Sequence, residues 1–427
     1  MTGETLRLRH LVKELRTGPF GSALSADEYV DEGVPLINPS DLRAGRIWPD
    51  RAVKVPEAVA NRMSAYRVEN GDIVLARRGE LGRYGLVGKD EAGFLCGTGS
   101  LLVRPGSNLV AKFLGYYLET ADARNWLSLQ SVGSTMENLS EAILARLPVP
   151  KISKEKQVAI ADFLDEQTAR IDALIAEKER LIASLVKSTT ELLHAAVTKG
   201  LGSAPMKSSA REWIGEIPSH WSAPFIRFVA RIESGHTPSR QHPEYWVGCS
   251  IPWFSLADVW QIRDGKREIV TETSEMVSEL GVANSSARVL PANTVILSRT
   301  ASVGFSAIMG VPMATTQDFV NWVCGEKVMP EYLLYVFRAM GSEFQRLKYG
   351  STHSTIYMPD VAKLSMPLPP LDEQRAIVAL ARDRKARMED LSDSAKKAVE
   401  RLREYRSSLI SATVTDQLDI NSYKEAA

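Results

Sequence analysis

Cysteine is scarce in this chain: Cys96, Cys249 and Cys324 stand far apart among 427 residues and form no Cys-x-x-Cys pair. A disulfide framework and a zinc site are therefore not expected, and the usage suits a reducing cytoplasm. Long apolar runs are also missing. No stretch reaches the roughly 18 apolar residues needed to cross a bilayer, so no membrane is expected. The opening MTGETLRLRH has no apolar segment, so a secretory signal is not expected. Finally, there is no excess of either charge: 52 Lys and Arg balance 52 Asp and Glu. A nucleic-acid binder usually carries a basic surplus, so any such role must rest on local charge rather than net charge.

Catalytic signatures are lacking too. INPSDL (37–42) starts like the Asn-Pro-Pro-aromatic motif with which adenine methyltransferases hold a flipped base. It has neither the second proline nor the aromatic, and no Gly-rich cofactor loop precedes it. GRYGLVGKD (82–90) has the wrong glycine spacing for a phosphate loop, and no Ser or Thr follows Lys89. His236 and His242 flank TPSRQ without a third ligand at metal-binding spacing. The expectation is a non-enzyme with no cofactor and no metal.

What the sequence does contain is a repeat, the signal to seek first. Residues 133–201 align with 350–418 at an offset of 217, so that LPVPKISKEKQVAI (147–160) matches LSMPLPPLDEQRAI (364–377), with Gln157 on Gln374 and Ile160 on Ile377. The same offset pairs Gly18 with Gly235, Pro35 with Pro252 and Asp41 with Asp258. In mid-domain it drifts to 222, where LARRGELG (75–82) matches LSRTASVG (297–304). After each junction the pattern becomes heptad-like. Leu164, Ile171, Leu185 and Leu192 form one seam, with Ile160, Leu174, Leu181 and Ala195 as its companion. The second copy has Met388, Ala395, Leu402 and Leu409, with Ile377, Leu391, Ala398, Tyr405 and Ala412. Before the junctions, short β-rich runs (GDIVLAR, LLVRP, NTVILSR, FVNWV) and helical stretches at 111–127 and 330–348 suggest α+β domains.

The expected architecture is α+β, with recognition domains at 1–150 and 212–368. Spacer helices at 151–198 and 369–416 follow them, with a linker at 199–211 and a tail at 417–427. The two helices should pair antiparallel, giving a pseudo-two-fold arrangement.

Recognition chemistry gathers in the loops. Over residues 1–150 arginine outnumbers lysine 14 to 4, and arginine can read guanine or clamp a phosphate with a two-pronged fork. The candidate DNA contacts in the first domain are Arg77, Arg78, Arg83, Tyr84, Ser134 and Thr135. In the second they are Thr237, Ser239, Arg240, Arg299, Thr316, Gln317, Ser351 and Thr352. For Arg77 and Arg299 a structural salt bridge common to both domains is the alternative. For the Gly-Ser-Thr pairs it is helix capping.

The chain resembles the specificity subunit of type I restriction–modification systems. GPFGSAL (18–24), EGVPLINPSDL (32–42), EWIGEIPSHW (212–221), SGHTPS (234–239), IPWFSLADV (251–259) and the two junctions carry the resemblance over nearly the whole length. The first junction departs from the family pattern, with Lys156 in place of the glutamate that stands at Glu373, and EWIGEIPSHW has no first-half counterpart. The resemblance implies a non-catalytic, cytoplasmic subunit that reads a bipartite double-stranded DNA target, one half per domain. Its implied partners are two adenine-methylating modification subunits and ATP-driven restriction subunits. A coiled-coil protein scaffold without DNA specificity is the competing reading.

Overall fold

The computed structural model describes residues 4–19, 24–49, 52–79, 82–131, 139–349 and 354–426. The chain forms two compact units, Met1–Glu179 with Lys396–Ala427 and Arg180–Ala395. Each long helix contributes to both: Lys154–Lys199 and Leu371–Val414 run without a break. Leu371 follows Pro369 and Pro370, and Asp372 and Glu373 place negative charge at the positive end of the helix dipole.

In the first unit a four-stranded antiparallel sheet runs in the order Val12–Thr17, Ser100–Pro105, Ile73–Ala76, Tyr84–Leu86. A smaller sheet joins Lys54–Val55, Val34–Ile37 and Leu95–Cys96. The second unit repeats the plan with Ala230–Ser234, Phe319–Cys324, Val295–Ser298 and Ser306–Met309, and adds Ile269–Val270 at the edge. The four runs read as strands are strands, and each helical stretch is a pair, Ala111–Glu119 with Ala121–Ser131 and Pro330–Ala339 with Gly341–Leu347.

Both cores pack one face of the sheet against these helices and then against the long ones. In the first unit Ile73, Leu75, Leu101, Val103, Phe113 and Tyr117 join Ile160, Phe163 and Leu164, and also Leu409, Ile410 and Val414. The second unit has Val295, Leu297, Val320, Trp322 and Phe337 with Ile377, Val378 and Ala381, and also Ala196 and Val197. Within each unit, then, the start of one long helix packs with the end of the other. In the first unit the two run antiparallel, since Lys156 meets Asp416 and Glu179 meets Arg403.

The heptad reading is half right. Ile160, Leu164 and Ile171 are buried, but the companion residues Leu174 and Leu181 are each 45% exposed, and Leu391 and Tyr405 are 55% and 46% exposed. The inward line of the second helix keeps the expected Ala395 and Leu409 but takes Ser392 and Val399 as their companions. A seam can be continued from any position by a step of three or of four. Counting apolar residues chose the wrong step here, because the inward line carries the polar Ser392 and, at a partly buried position, Arg406.

The repeated junction has a clear physical task. Gln157 is buried; its Oε1 accepts from Val110 N at 2.8 Å, and its Nε2 donates to Asn108 O and Ile152 O at 3.1 and 2.9 Å. Gln374 makes the matching set, accepting from Met329 N and donating to Lys327 O and Pro369 O, all at 2.9 Å. A buried amide with all these groups paired pins the first turn of the long helix to the loop before the domain's own helices. Glu373 next to it accepts from the indole of buried Trp221 at 3.0 Å and meets His220 at 2.7 Å. Where Glu373 holds Trp221 and His220, Lys156 forms a surface ion pair with Asp416.

Candidate nucleic-acid interface

In the second unit four chain segments meet beyond the strand ends. Strand Ala230–Ser234 delivers Gly235, where a Cβ would lie 2.0 Å from Thr316 O and 2.5 Å from Thr315 O. Only glycine lets the two backbones pass this closely, and His236 N then donates to Thr315 O at 2.9 Å. This fixes the loop that presents Thr237, Ser239 and Arg240. Thr237 Oγ1 donates to Gln317 Oε1 at 2.7 Å. Arg240 lies over Trp246, 3.6 Å from the ring centre, and pairs with Glu275 at 2.5 Å. Trp246 and Trp253 in turn donate their indole N–H groups to Ser239 O and His236 O, both at 3.2 Å, so two aromatic rings brace the loop from behind. Ser239, Arg240 and Gln317 are exposed, whereas Thr316 is buried and its hydroxyl is engaged with Asp318 at 3.0 Å.

Arg299 closes the arrangement. Its Nε donates to Gln317 O at 3.0 Å and its Nη1 to Ile356 O at 3.4 Å, while Ile356 N donates back to Arg299 O at 2.9 Å. The first unit uses its arginine the same way: Arg77 Nε donates to Leu139 O, and Leu139 N to Arg77 O, both at 2.9 Å. Leu139 and Ile356 are equivalent at the offset of 217. Both arginines therefore anchor the chain just after the Gly-Ser-Thr segments, which confirms the shifted mid-domain register. Arg77 is 7% exposed, and its Nε is held by the backbone carbonyl of Leu139.

The rest of the first domain's set divides. Arg78 is exposed at the hairpin tip. Arg83 is partly buried, and its Nε is among the buried side-chain atoms without a hydrogen-bond partner. It lines a cleft with Arg43, Arg124, Arg403 and Arg406, away from the Arg77 anchor. Tyr84 is buried, with its hydroxyl donating to Glu119 at 3.0 Å, and burial first, then that carboxylate, push its ionisation well above the ordinary tyrosine range. Ser134, Thr135, Ser351 and Thr352 lie outside the described residues.

Sequence reasoning passed over four residues. Trp246 and Glu275 hold Arg240, and the exposed Tyr349 and Tyr357, whose rings are 5.7 Å apart, flank the Gly-Ser-Thr segment of the second domain. The available signal for Tyr349 was its place directly before Gly350; aromatics beside a loop are potential stacking surfaces. The aspartates of the INPSDL region are caps: Asp41 Oδ2 accepts from Asn38 N at 2.8 Å, and Asp258 Oδ2 from Ser255 N at 2.9 Å. Among the described residues no group of three or more His, Cys, Asp or Glu is placed to hold a metal ion. No described helix is long and apolar enough to cross a membrane.

Comparison with known proteins gives a consistent result. Residues 14–183 and 218–382 match the family described as the type I restriction modification DNA specificity domain. The MjaIX specificity subunit of Methanocaldococcus jannaschii is 29% identical over 169 residues, covering 39% of this chain and 38% of that protein. The putative MjaX specificity subunit of the same organism is 23% identical over 434 residues, covering 98% of this chain and 94% of its own length. Among solved structures, a chain from a type I restriction–modification system studied for complex assembly and conformational transition aligns with a TM-score of 0.73 at 17% identity, over 98% of this chain and 99% of its own. The HsdS subunit from Thermoanaerobacter tengcongensis aligns at 0.55 and 18% identity, over 97% of each chain. The two matched segments, each ending inside a long helix, account for most of the polypeptide, and the chain belongs to the type I restriction–modification DNA specificity family, with two copies of its domain in tandem.

Proposed function

We propose that the chain reads a bipartite duplex DNA target, one half per recognition domain, and brings two modification subunits and restriction subunits to it without catalysis of its own. One observation carries this reading: a loop scaffold written twice, with different side chains on it. The scaffold positions agree, Gly18 with Gly235 and Arg77 with Arg299. The outward positions differ, Arg78 against Thr300 and Thr98 against Gln317. Backbone geometry places a reader, whereas base edges are told apart by the side chains.

The test is a methylome. Deleting the gene should abolish adenine methylation at one split motif, and restoring the full chain should bring it back. Persistence of every methylated motif would defeat the proposal.

A second expectation concerns Arg240. Its pair with Glu275 is solvent-exposed, so losing it should barely alter stability. Arg240→Ala should weaken binding of the assembled complex to a duplex carrying the motif by about tenfold at fixed salt. If the guanidinium holds a phosphate, the salt slope falls by about one and all sequences weaken alike. If it reads a base, discrimination at one position relaxes. Fluorescence anisotropy over a salt series measures both.

A further inference from the structure

The two domains dock on the starts of their long helices through one skeleton with opposite polarity. Gln157 and Gln374 make the same bonds in both units, so they cannot tell one domain from the other. The tyrosines are shared as well: Tyr116 donates its hydroxyl to a carboxylate at 2.7 Å, and Tyr335 does so at 2.6 Å. In the first unit, however, that carboxylate is Asp165 on the long helix, and the domain supplies the cation Lys112 beside it. In the second unit the carboxylate is Glu268 on the domain. The helix supplies the cations, Arg382 at 3.2 Å and Lys385 at 3.3 Å, at the positions equivalent to Asp165 and Thr168.

The domain helices are inverted too. Aligned through Val110 and Met329, which bond the two glutamines, Lys112 corresponds to Glu331 and Glu119 to Arg338. Arg338 stands 3.6 Å from Glu268. The side chains of Glu268, Arg338 and Lys385 are only 13%, 16% and 18% exposed, so these charges are poorly screened. Burial alone would raise the Glu268 carboxyl, but the Tyr335 hydroxyl with Lys385 and Arg338 holds it below the usual range.

We propose that these residues form a charge code by which each recognition domain accepts its own helix and rejects the other. A first domain set on the second helix would bring Lys112 against Arg382 and Lys385. A second domain on the first helix would bring Glu268 against Asp165. Like charges at a half-buried contact suppress the wrong pairing. The practical consequence is for domain exchange: a transplanted domain needs the helix residues of its own junction.

The test keeps the full chain and rewrites the second junction. R382D/K385T installs the first helix's residues under the second domain. It should lower the thermal midpoint by about 4 °C or more at low salt, and the deficit should shrink as salt screens the new repulsion. Adding E268Q and E331K gives the domain the first unit's polarity, and this fourfold variant should regain at least half of the loss. R382K, which keeps the charge but not the shape, should melt with the parent. The code is wrong if the double variant melts like the parent. It is also wrong if the fourfold variant stays as low as the double, which would mean that shape rather than sign matters. Should R382D/K385T not fold, the reciprocal D165R/T168K with and without K112E poses the same question at more exposed side chains, and failure of K112E to rescue overturns the proposal.

Discussion

Gln374→Ala should lower the thermal midpoint of the protein by about 9 °C. The substitution removes one acceptor and one twofold donor from a fully buried site, leaving Met329 N, Lys327 O and Pro369 O without partners. An unpaired buried backbone group costs about 1–3 kcal/mol. A total near 3 kcal/mol allows for partial relaxation, and a unit of this size shifts by about 2–4 °C per kcal/mol. Gln157→Ala should act alike, because the first unit makes the same contacts.

Gln374→Glu separates hydrogen bonding from volume. At neutral pH the introduced carboxylate still accepts from Met329 N, but it turns an oxygen toward two carbonyls. Burial and those carbonyls favour its protonated form, so its folded pKa lies above its unfolded one. Stability then rises as the pH falls through that folded value, and the deficit relative to the parent should shrink on acidification. Melting curves between neutral and mildly acidic pH check this, and a deficit independent of pH would rule out the amide as the source.

Gly235→Ala should damage stability and DNA binding together. The added methyl would sit 2.0 Å from Thr316 O and 2.2 Å from Thr315 Oγ1, so backbone must move and not merely a flexible side chain. Overpacking of this kind costs about 1–3 kcal/mol. The backbone that moves is the one carrying Thr237 and Gln317, whose mutual bond would be broken or displaced. Under the proposed reading, affinity for the motif should fall at least about tenfold. Gly341→Ala is the matched control: nothing lies within 4 Å of its Cβ position, and it begins a helix. Circular dichroism and anisotropy on the two variants should show loss in the first alone. Equal behaviour would mean that the loop is not held by this contact.

How much of this could be read from residues alone differs from place to place. The offset of 217 was sufficient to identify Gln157 with Gln374 and Gly18 with Gly235, because local sequence marks both ends of each domain. The strand runs were also legible, since alternating β-branched residues beside Gly and Asn turns have few other uses. Partners across the fold were not legible. Tyr84 looked like a loop reader beside Arg83, but strand pairing sets it opposite Leu75. Gly115 and Gly45 leave room for its ring, since a Cβ at Gly115 would touch that ring at 2.6 Å. Those two glycines lie in other segments, and no local pattern links them to Tyr84. The polarity of the helix contacts escaped for a similar reason. Asp165 and Arg382 each look like solvated helix charges until the facing domain is in place.

One feature of the cores bears on how the protein is made. Leu409, Ile410 and Val414 belong to the hydrophobic core of the unit that begins near residue 5. When the first domain and its own helix have left the ribosome, that core is still missing a wall. From the end of that helix at Lys199 to Val414 a further 215 residues (414 − 199) must follow, which at about 5–20 residues per second is on the order of tens of seconds. Until then the nascent first unit exposes apolar surface to chaperones and proteases, and its closure is a late event of synthesis. A stretch translated only after the whole second domain thus completes the core of the unit before it, so a product terminated ahead of Leu409 lacks the means to finish a domain it has already made.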